Sequence, residues 1–333
     1  MLHLHENHFH PTHFHRPDVV DQPLYVITPL YNPQRWRSRW KLYKDFENYV
    51  LSNNEARLVT IECSFGERAE CITEVVSPKH IVIHVQTKHE LWVKENLINI
   101  AVSRLPSDWK YMAWVDADVI FARPDWVGET IHQLQHYDVI QMWSQFQDLT
   151  PNQELIGTSR SFMDCYIHGG NNFVNGNGGY GVPPRVGYPG APGLAWAMTK
   201  EAWNHLGGLI DISILGACDW YMAHALVGNL ELVLSKQYHP RYRELLFEWQ
   251  HRAEKHIKRN VGVMKGLALH YWHGPKVDRK YGSREQILIK NQYNPNVDIK
   301  KDWQGLYQLT DRSLGLRDGI KQYFRQRNED SIN

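Results

Sequence analysis

No run of about 18 apolar residues occurs in the chain, so no segment reads as a membrane-spanning helix. The N-terminus carries no signal-like apolar stretch. Cysteine is scarce: Cys63, Cys71, Cys165 and Cys218 show neither CxxC spacing nor a dense framework, which excludes a disulfide scaffold. Free thiols and a cytoplasmic location are therefore expected. Charge of one sign is not in excess either. Lys plus Arg number 37 against 36 Asp plus Glu, a formal net charge of +1, so no global field draws the chain to nucleic acid or to a membrane. No internal repeat is found.

What is present is a hydrophobic content of 42% over 333 residues, ample for a sizeable core. The 13 Trp and 17 Tyr suit sugar-stacking surfaces and a plain core equally. The opening "MLHLHENHFHPTHFHRPD" holds six of the 19 histidines. His-rich tracts bind metals, but a terminal segment without hydrophobic period reads as a mobile arm, and residues 1–22 are assigned to one.

From residue 23 the pattern alternates. "LYVITP" reads as a buried strand, "QRWRSRWKLYKDFENYVLSN" as a helix, and "ARLVTIEC" and "HIVIHVQ" as further strands. "KHELWVKENLINIAVSRL" follows as a helix, "YMAWVDADVIF" as a fourth strand, a helix begins at Asp125, and "DVIQMWSQ" is the next strand. Such alternation predicts an α/β fold with a largely parallel sheet, whose ligands bind beyond the C-terminal strand ends. Thr28, Pro29, Tyr31, Asn32, Glu62 and the Asp116/Asp118 pair share that rim. Residues 168–193 are crowded with Gly, Pro and Asn, and a loop this long reads as a lid or binding loop. "LAWAMTKEAWNHLGGL" resumes order, with a Gly pair suited to ending a helix. "YHPRYRELLFEWQHRAEKHIKRN" is an amphipathic helix whose basic face carries Arg241, Arg243, Arg252, Lys255, Lys258 and Arg259. The last forty residues read as helical and peripheral.

Chemistry gathers at the rim. Burying an unpaired carboxylate is costly, so two aspartates at D-x-D spacing need compensation. One can take a hard cation such as Mg²⁺ or Mn²⁺ bridging to a diphosphate, and the other can hydrogen-bond a ribose or a metal-bound water. Solvated carboxylates at a strand end are the bland alternative. "ALHYWHGPK" adds His270 and His273, normal Mn²⁺-type ligands, and Lys276, a cation for phosphate. In "LGACDWYMAHAL" Asp219 follows a Gly-Ala turn, where it serves either as a helix cap or as a general base toward an acceptor hydroxyl.

Together these motifs resemble a GT-A fold, nucleotide-sugar-dependent glycosyltransferase of the beta-1,4-galactosyltransferase type. "VITPLYN" is similar to that family's first-strand P-F-R-N segment, and "WVKENLINIA" to its F-N-R-A-K-L-L-N-V-G helix. The resemblance implies nucleotide contacts from the first-strand rim, from Lys94 and from Asn99. "WVDAD" matches the D-x-D strand, implying Asp118 as metal ligand with Asp116 near the nucleotide. "PGLAWAMTKEAWNHLGGL" resembles G-G-x-x-A-L-S-K, implying a donor and acceptor wall around Gly193 and Trp196. "GACD" stands where the family has G-G-E-D, carrying the base onto Asp219, and "HYWH" matches its M-x-x-H pair, implying His270 and His273 as ligands. Cys218, Leu215 and Tyr31 depart from the family at acceptor and donor positions.

The expected organisation is a GT-A domain over 23–282, split into a nucleotide-binding half (23–145) and an acceptor half (146–282), followed by a helical extension over 283–333. The expected activity is metal-dependent, inverting transfer from a nucleoside-diphosphate sugar, a UDP-sugar, to a glycan or other hydroxyl. Hydroxymethylated pyrimidines of phage-type DNA are an alternative acceptor, motivated by the basic helix face. A non-catalytic carbohydrate- or nucleotide-binding protein on the same fold is the other alternative.

Overall fold

The computed structural model describes residues 22–67, 70–169 and 190–331. The His-rich arm and most of the Gly-rich loop of the sequence reading thus lie outside the described residues.

The run LYVITPLY forms β1 (Leu24–Tyr31), in which Leu24, Val26, Ile27 and Thr28 are all fully buried. A strand covered on both faces is apolar along its length instead of alternating. Val26 and Ile27 accordingly feed two separate apolar clusters. In chain order there follow β2 (Ala56–Phe65), β3 (His80–Thr87), β4 (Tyr111–Val115), β5 (Val119–Phe121) and β6 (Val139–Gln141). Then come β7 (Gln145–Leu149), β8 (Leu155–Arg160), β9 (Ala195–Thr199), β10 (Val261–Val263) and β11 (Leu267–His270). Seven strands form the main sheet, in the order β10-β6-β9-β4-β1-β2-β3. β1 runs parallel to both β2 and β4, β2 to β3 and β10 to β6, while β9 alone runs antiparallel to its neighbours. The chain is thus a mixed α/β protein with a mostly parallel central sheet flanked by helices.

A second sheet, in the order β5-β11-β7-β8, lies beyond the first. Three times the chain leaves a main-sheet strand and enters this second sheet within four residues: from β4 to β5, from β6 to β7, and from β10 to β11. The two long strands expected at "YMAWVDADVIF" and "DVIQMWSQ" are therefore each broken. The first break falls on Asp116–Asp118, so both aspartates sit in the crossing between sheets.

The C-terminal part departs from a peripheral helical extension. It contains the helices Glu285–Lys290 and Leu314–Gln326 and a hairpin pairing Ile299–Lys301 with Tyr307–Leu309. Its Leu288, Tyr293, Ile299, Leu316, Ile320 and Phe324 belong to the same apolar cluster as Ile27 and Val59. The helix Arg37–Leu51 begins at Trp36 without a side-chain cap of its own. Asp330 serves instead, its carboxylate accepting from the backbone N–H groups of Arg37 and Ser38 at 3.0 and 2.9 Å. An anion at a helix N-terminus satisfies orphan donors and the macrodipole together. The end of the chain is thereby drawn to the rim. Among the described residues no helix is long and apolar enough to cross a membrane.

Candidate active site

Backbone bonds fix where the rim residues stand. Asp116 N–H donates to Leu194 O at 2.9 Å, and Tyr271 N–H donates to Asp118 O at 2.9 Å. In the β5–β11 pairing Val119 lies opposite His270. The D-x-D crossing is thus bonded directly to the His-Tyr-Trp-His segment on one side and to the Gly193 turn on the other. Gly274, next after His273, has φ +90°, and a Cβ there would lie 2.5 Å from Asn328 O. Only glycine lets the C-terminal tail pass this close behind the histidines.

Three ligand-type side chains converge. His273 Nε2 is 3.1 Å from Asp118 Oδ2, His270 Nε2 is 3.8 Å from Asp118 Oδ1, and the two Nε2 atoms are 3.2 Å apart. Each imidazole turns its other nitrogen toward a buried carboxylate: His270 Nδ1 lies 2.7 Å from Asp148 Oδ1, and His273 Nδ1 3.8 Å from Glu329 Oε2. A carboxylate behind a histidine is the usual way a ligand ring is oriented toward a metal.

Charge pairing around the cluster sets Asp118 apart from Asp116, Asp148 and Glu329. Lys94 pairs with Asp116, Lys276 with Asp148, and Arg39 and Arg327 with Glu329. Among the described residues Asp118 pairs with imidazoles alone, and its buried Oδ1 has no hydrogen-bond partner. An orphaned carboxylate oxygen facing two imidazole nitrogens fits a divalent cation, whose ligand atoms stand about 3 Å apart at bond lengths of about 2.0–2.2 Å. Burial works against charge on both aspartates. His273 and His270 nevertheless hold Asp118 below the usual carboxylate range, while burial leaves Asp116 above it even against Lys94. Burial and the Arg279 guanidinium push His273 down to about 4, so its ring is neutral at physiological pH.

Asp219 completes the group. It lies in the first turn of the helix Cys218–Leu226, whose cap position belongs to Ala217 at φ 72°. One carboxylate oxygen accepts from Trp220 N–H at 2.8 Å. The other comes so near Gly193 that a Cβ there would stand 3.0 Å from it. Beside it Glu95 is buried, and that burial, opposed by Lys94 and reinforced by Asp219, raises its carboxyl to about 7 from 4.5. A raised pKa in the fold favours folding fully below pH 4.5, and that contribution is lost as the pH rises through about 7. The loss amounts to about 3 kcal/mol. Glu95→Gln is therefore expected to gain about 3 kcal/mol relative to wild type between pH 4 and pH 8, read from urea midpoints. An equal difference at both pH values would contradict the burial argument.

Other rim candidates have side chains committed elsewhere. Thr28 is fully buried within the sheet, and Trp196 is buried, donating to Pro192 O and stacking on Trp114. Tyr31 donates to His89 O, and Asn32 bonds both backbone groups of Trp36. Pro29 is half-buried between them. Asn99 spends its amide on Leu209 and Asp211. Glu62 accepts from Ile72 N–H, Thr73 N–H and the Thr73 hydroxyl, tying down a loop. That engagement also explains the nearby group Glu62, Cys71 and His84, whose ligand-type atoms lie within 4.8 Å, without a metal. On the basic helix, Arg241 pairs with Glu244 and Glu248, Arg243 with Glu231, and Arg252 with Leu206 O. Half of the face that motivated a DNA acceptor is thus neutralised or capped.

Sequence reasoning missed Asp148, Arg39, Arg279 and Glu329. Asp148 had a signal: in QFQDL it falls two residues after Phe146, on the same inward face of a strand. Arg39 and Glu329 are 290 positions apart, and nothing local announces their pairing.

No family model and no curated protein matches the sequence. Among solved structures, the chain is similar to the catalytic domain of Drosophila beta1,4-galactosyltransferase 7 in complex with xylobiose. That match has 9% identity and a TM-score of 0.38, covering 90% of this chain and 98% of that one. The mannosyltransferase PcManGT from Pyrobaculum calidifontis, in complex with GDP-Man and Mn²⁺, matches at 12% identity and a TM-score of 0.38, covering 81% of this chain and 61% of that one. S. aureus TarS 1–349, in complex with UDP-GlcNAc, matches at 11% and 0.38, covering 81% and 65%. This chain spans less than two thirds of the latter two. At such scores these likenesses carry nothing about its chemistry.

Proposed function

We propose that the chain is a metal-dependent glycosyltransferase of the GT-A type, moving a sugar from a nucleoside-diphosphate sugar to an acceptor hydroxyl with inversion. The observation that carries this reading is Asp118, which among the described residues forms ion pairs with imidazoles alone, those of His270 and His273. Those three side chains would hold the cation, which when bound supplies positive charge to the departing diphosphate. Lys94 holds Asp116 in place, and Lys276 adds a cation at the same rim. Asp219 takes the proton of the acceptor hydroxyl as its oxygen bonds to the anomeric carbon. The bond from that carbon to the diphosphate breaks, and its electron pair leaves with the diphosphate.

Two imidazoles beside one carboxylate favour Mn²⁺ over Mg²⁺, which prefers oxygen ligands throughout. The test is a thermal-shift panel of nucleoside diphosphates with Mn²⁺, with Mg²⁺ and with chelator. UDP with Mn²⁺ is expected to raise the melting temperature by about 3–6 °C near saturation, with a smaller rise for Mg²⁺ and none with chelator. Hydrolysis of UDP-sugars in the same buffers separates an enzyme from a mere binder. If no nucleoside diphosphate stabilises the protein with either metal, the reading fails.

A further inference from the structure

Arg279 holds the nitrogen that a metal would need. It ends the short turn Lys276–Arg279, and its Nη2 stands 2.7 Å from His273 Nε2 and 3.3 Å from Nδ1. A neutral imidazole has one acceptor lone pair, so His273 Nε2 cannot accept from a guanidinium and ligate a cation together. A guanidinium and a divalent ion at that nitrogen also repel each other. Away from His273, one hydrogen bond of the Arg279 side chain stands out. Nη1 donates to the hydroxyl of Tyr281 at 3.1 Å, Tyr281 is 42% exposed, and the buried Nε has no partner. Lys280 follows with φ 48°, and Val277 and Lys280 are exposed. Lys276, by contrast, is tied to the buried Asp148.

We infer that Arg279 exchanges partners: it must leave His273 when the cation binds, and its guanidinium then forks onto the diphosphate of the donor. The diphosphate half of this inference rests on the function proposed above. A planar fork of N–H donors matches paired phosphate oxygens, and a released, underused guanidinium beside the metal is placed to supply it. Cation and diphosphate thereby help each other, because each favours the same outward position of one side chain. Thermodynamic linkage makes that help reciprocal.

The test is calorimetric titration of Mn²⁺ into wild type and Arg279→Met, each with and without UDP, with the Mn²⁺ electron-spin signal as a second readout. Mn²⁺ alone is expected to bind the variant about tenfold tighter than wild type, because the competitor is gone. UDP is expected to tighten Mn²⁺ binding to wild type about 100-fold, and binding to the variant by about tenfold or less. A merely structural role predicts the opposite sign in the first comparison. Arg279→Lys serves as the second variant, and its Mn²⁺ affinity should fall between the other two. Equal or weaker Mn²⁺ binding by both folded variants, with the UDP increment intact, overturns the inference and leaves the transferase reading standing. Tighter Mn²⁺ binding by the variants with no UDP effect on any protein supports the competition for His273 and overturns the nucleotide reading.

Discussion

Asp118→Asn is expected to lose metal binding and sugar transfer together while the protein stays folded. Asparagine keeps the shape of the side chain and the turn between β4 and β5, whose backbone is held by Tyr271 N–H and not by the carboxylate. It removes the carboxylate whose ion pairs are with imidazoles alone. Changing a residue behind a ligand, such as Asp148, typically weakens metal affinity by about 10–100-fold. Loss of the proposed anionic ligand itself is expected to exceed that range, and transfer to fall by more than about 100-fold. The ion pairs of Arg39 and Arg327 with Glu329 and of Lys276 with Asp148 survive the change, so the unfolding midpoint should move little. Calorimetry with Mn²⁺, paired with a donor-cleavage assay, measures both effects. Near wild-type cleavage by the variant in chelator would leave the cluster with no role in the reaction.

The parallel sheet was legible because buried strands such as LYVITPLY and ARLVTIEC are apolar runs separated by helical spacing. The switch between sheets was not. At Val115–Asp118 and again at Met142–Ser144 the chain changes sheets without Gly or Pro, and apolar residues continue on both sides. A pattern that reports burial does not report which sheet does the burying. The His-x-x-His spacing and the D-x-D pair were visible because each is local. Their partners were not, since Asp148 and His270 are 122 positions apart. The internal engagement of several residues expected to contact the nucleotide was illegible for a related reason. Asn99 and Glu62 are polar groups at element ends, and such groups serve loops as readily as ligands.

The distribution of charge says more about the site than any single motif. Among the described residues Asp116, Asp148 and Glu329 each pair with a lysine or arginine, and Lys94, Lys276 and Arg39 lie far in sequence from the carboxylates they meet. Opposite charges so matched hold a low-dielectric rim together without net attraction for solvent ions. Against that background an aspartate paired with imidazoles alone matches the cation site proposed above. The C-terminal tail belongs to the same design: Glu329 stands behind His273, Asp330 caps the helix that carries Arg39, and Ser331 O accepts from the Trp272 indole.

Asp219→Asn separates donor binding from transfer. The asparagine carbonyl can still accept from Trp220 N–H, so the first turn of the helix keeps its bond, and the lost negative charge there is worth about 0.3–1 kcal/mol of stability. What disappears is the carboxylate beside Gly193 that is proposed to receive the acceptor's proton. Its removal is expected to lower transfer by about 10²–10⁴-fold. Mn²⁺ and UDP should bind as before, because Asp118, His270 and His273 are untouched. A purely structural Asp219 predicts the reverse, a small shift in melting temperature with turnover intact. Steady-state transfer rates and nucleotide affinity, measured on the same preparation, therefore decide between them. An unchanged rate would move the proton acceptor elsewhere. The buried Glu95, whose carboxyl is raised to about 7, would be the next group to replace.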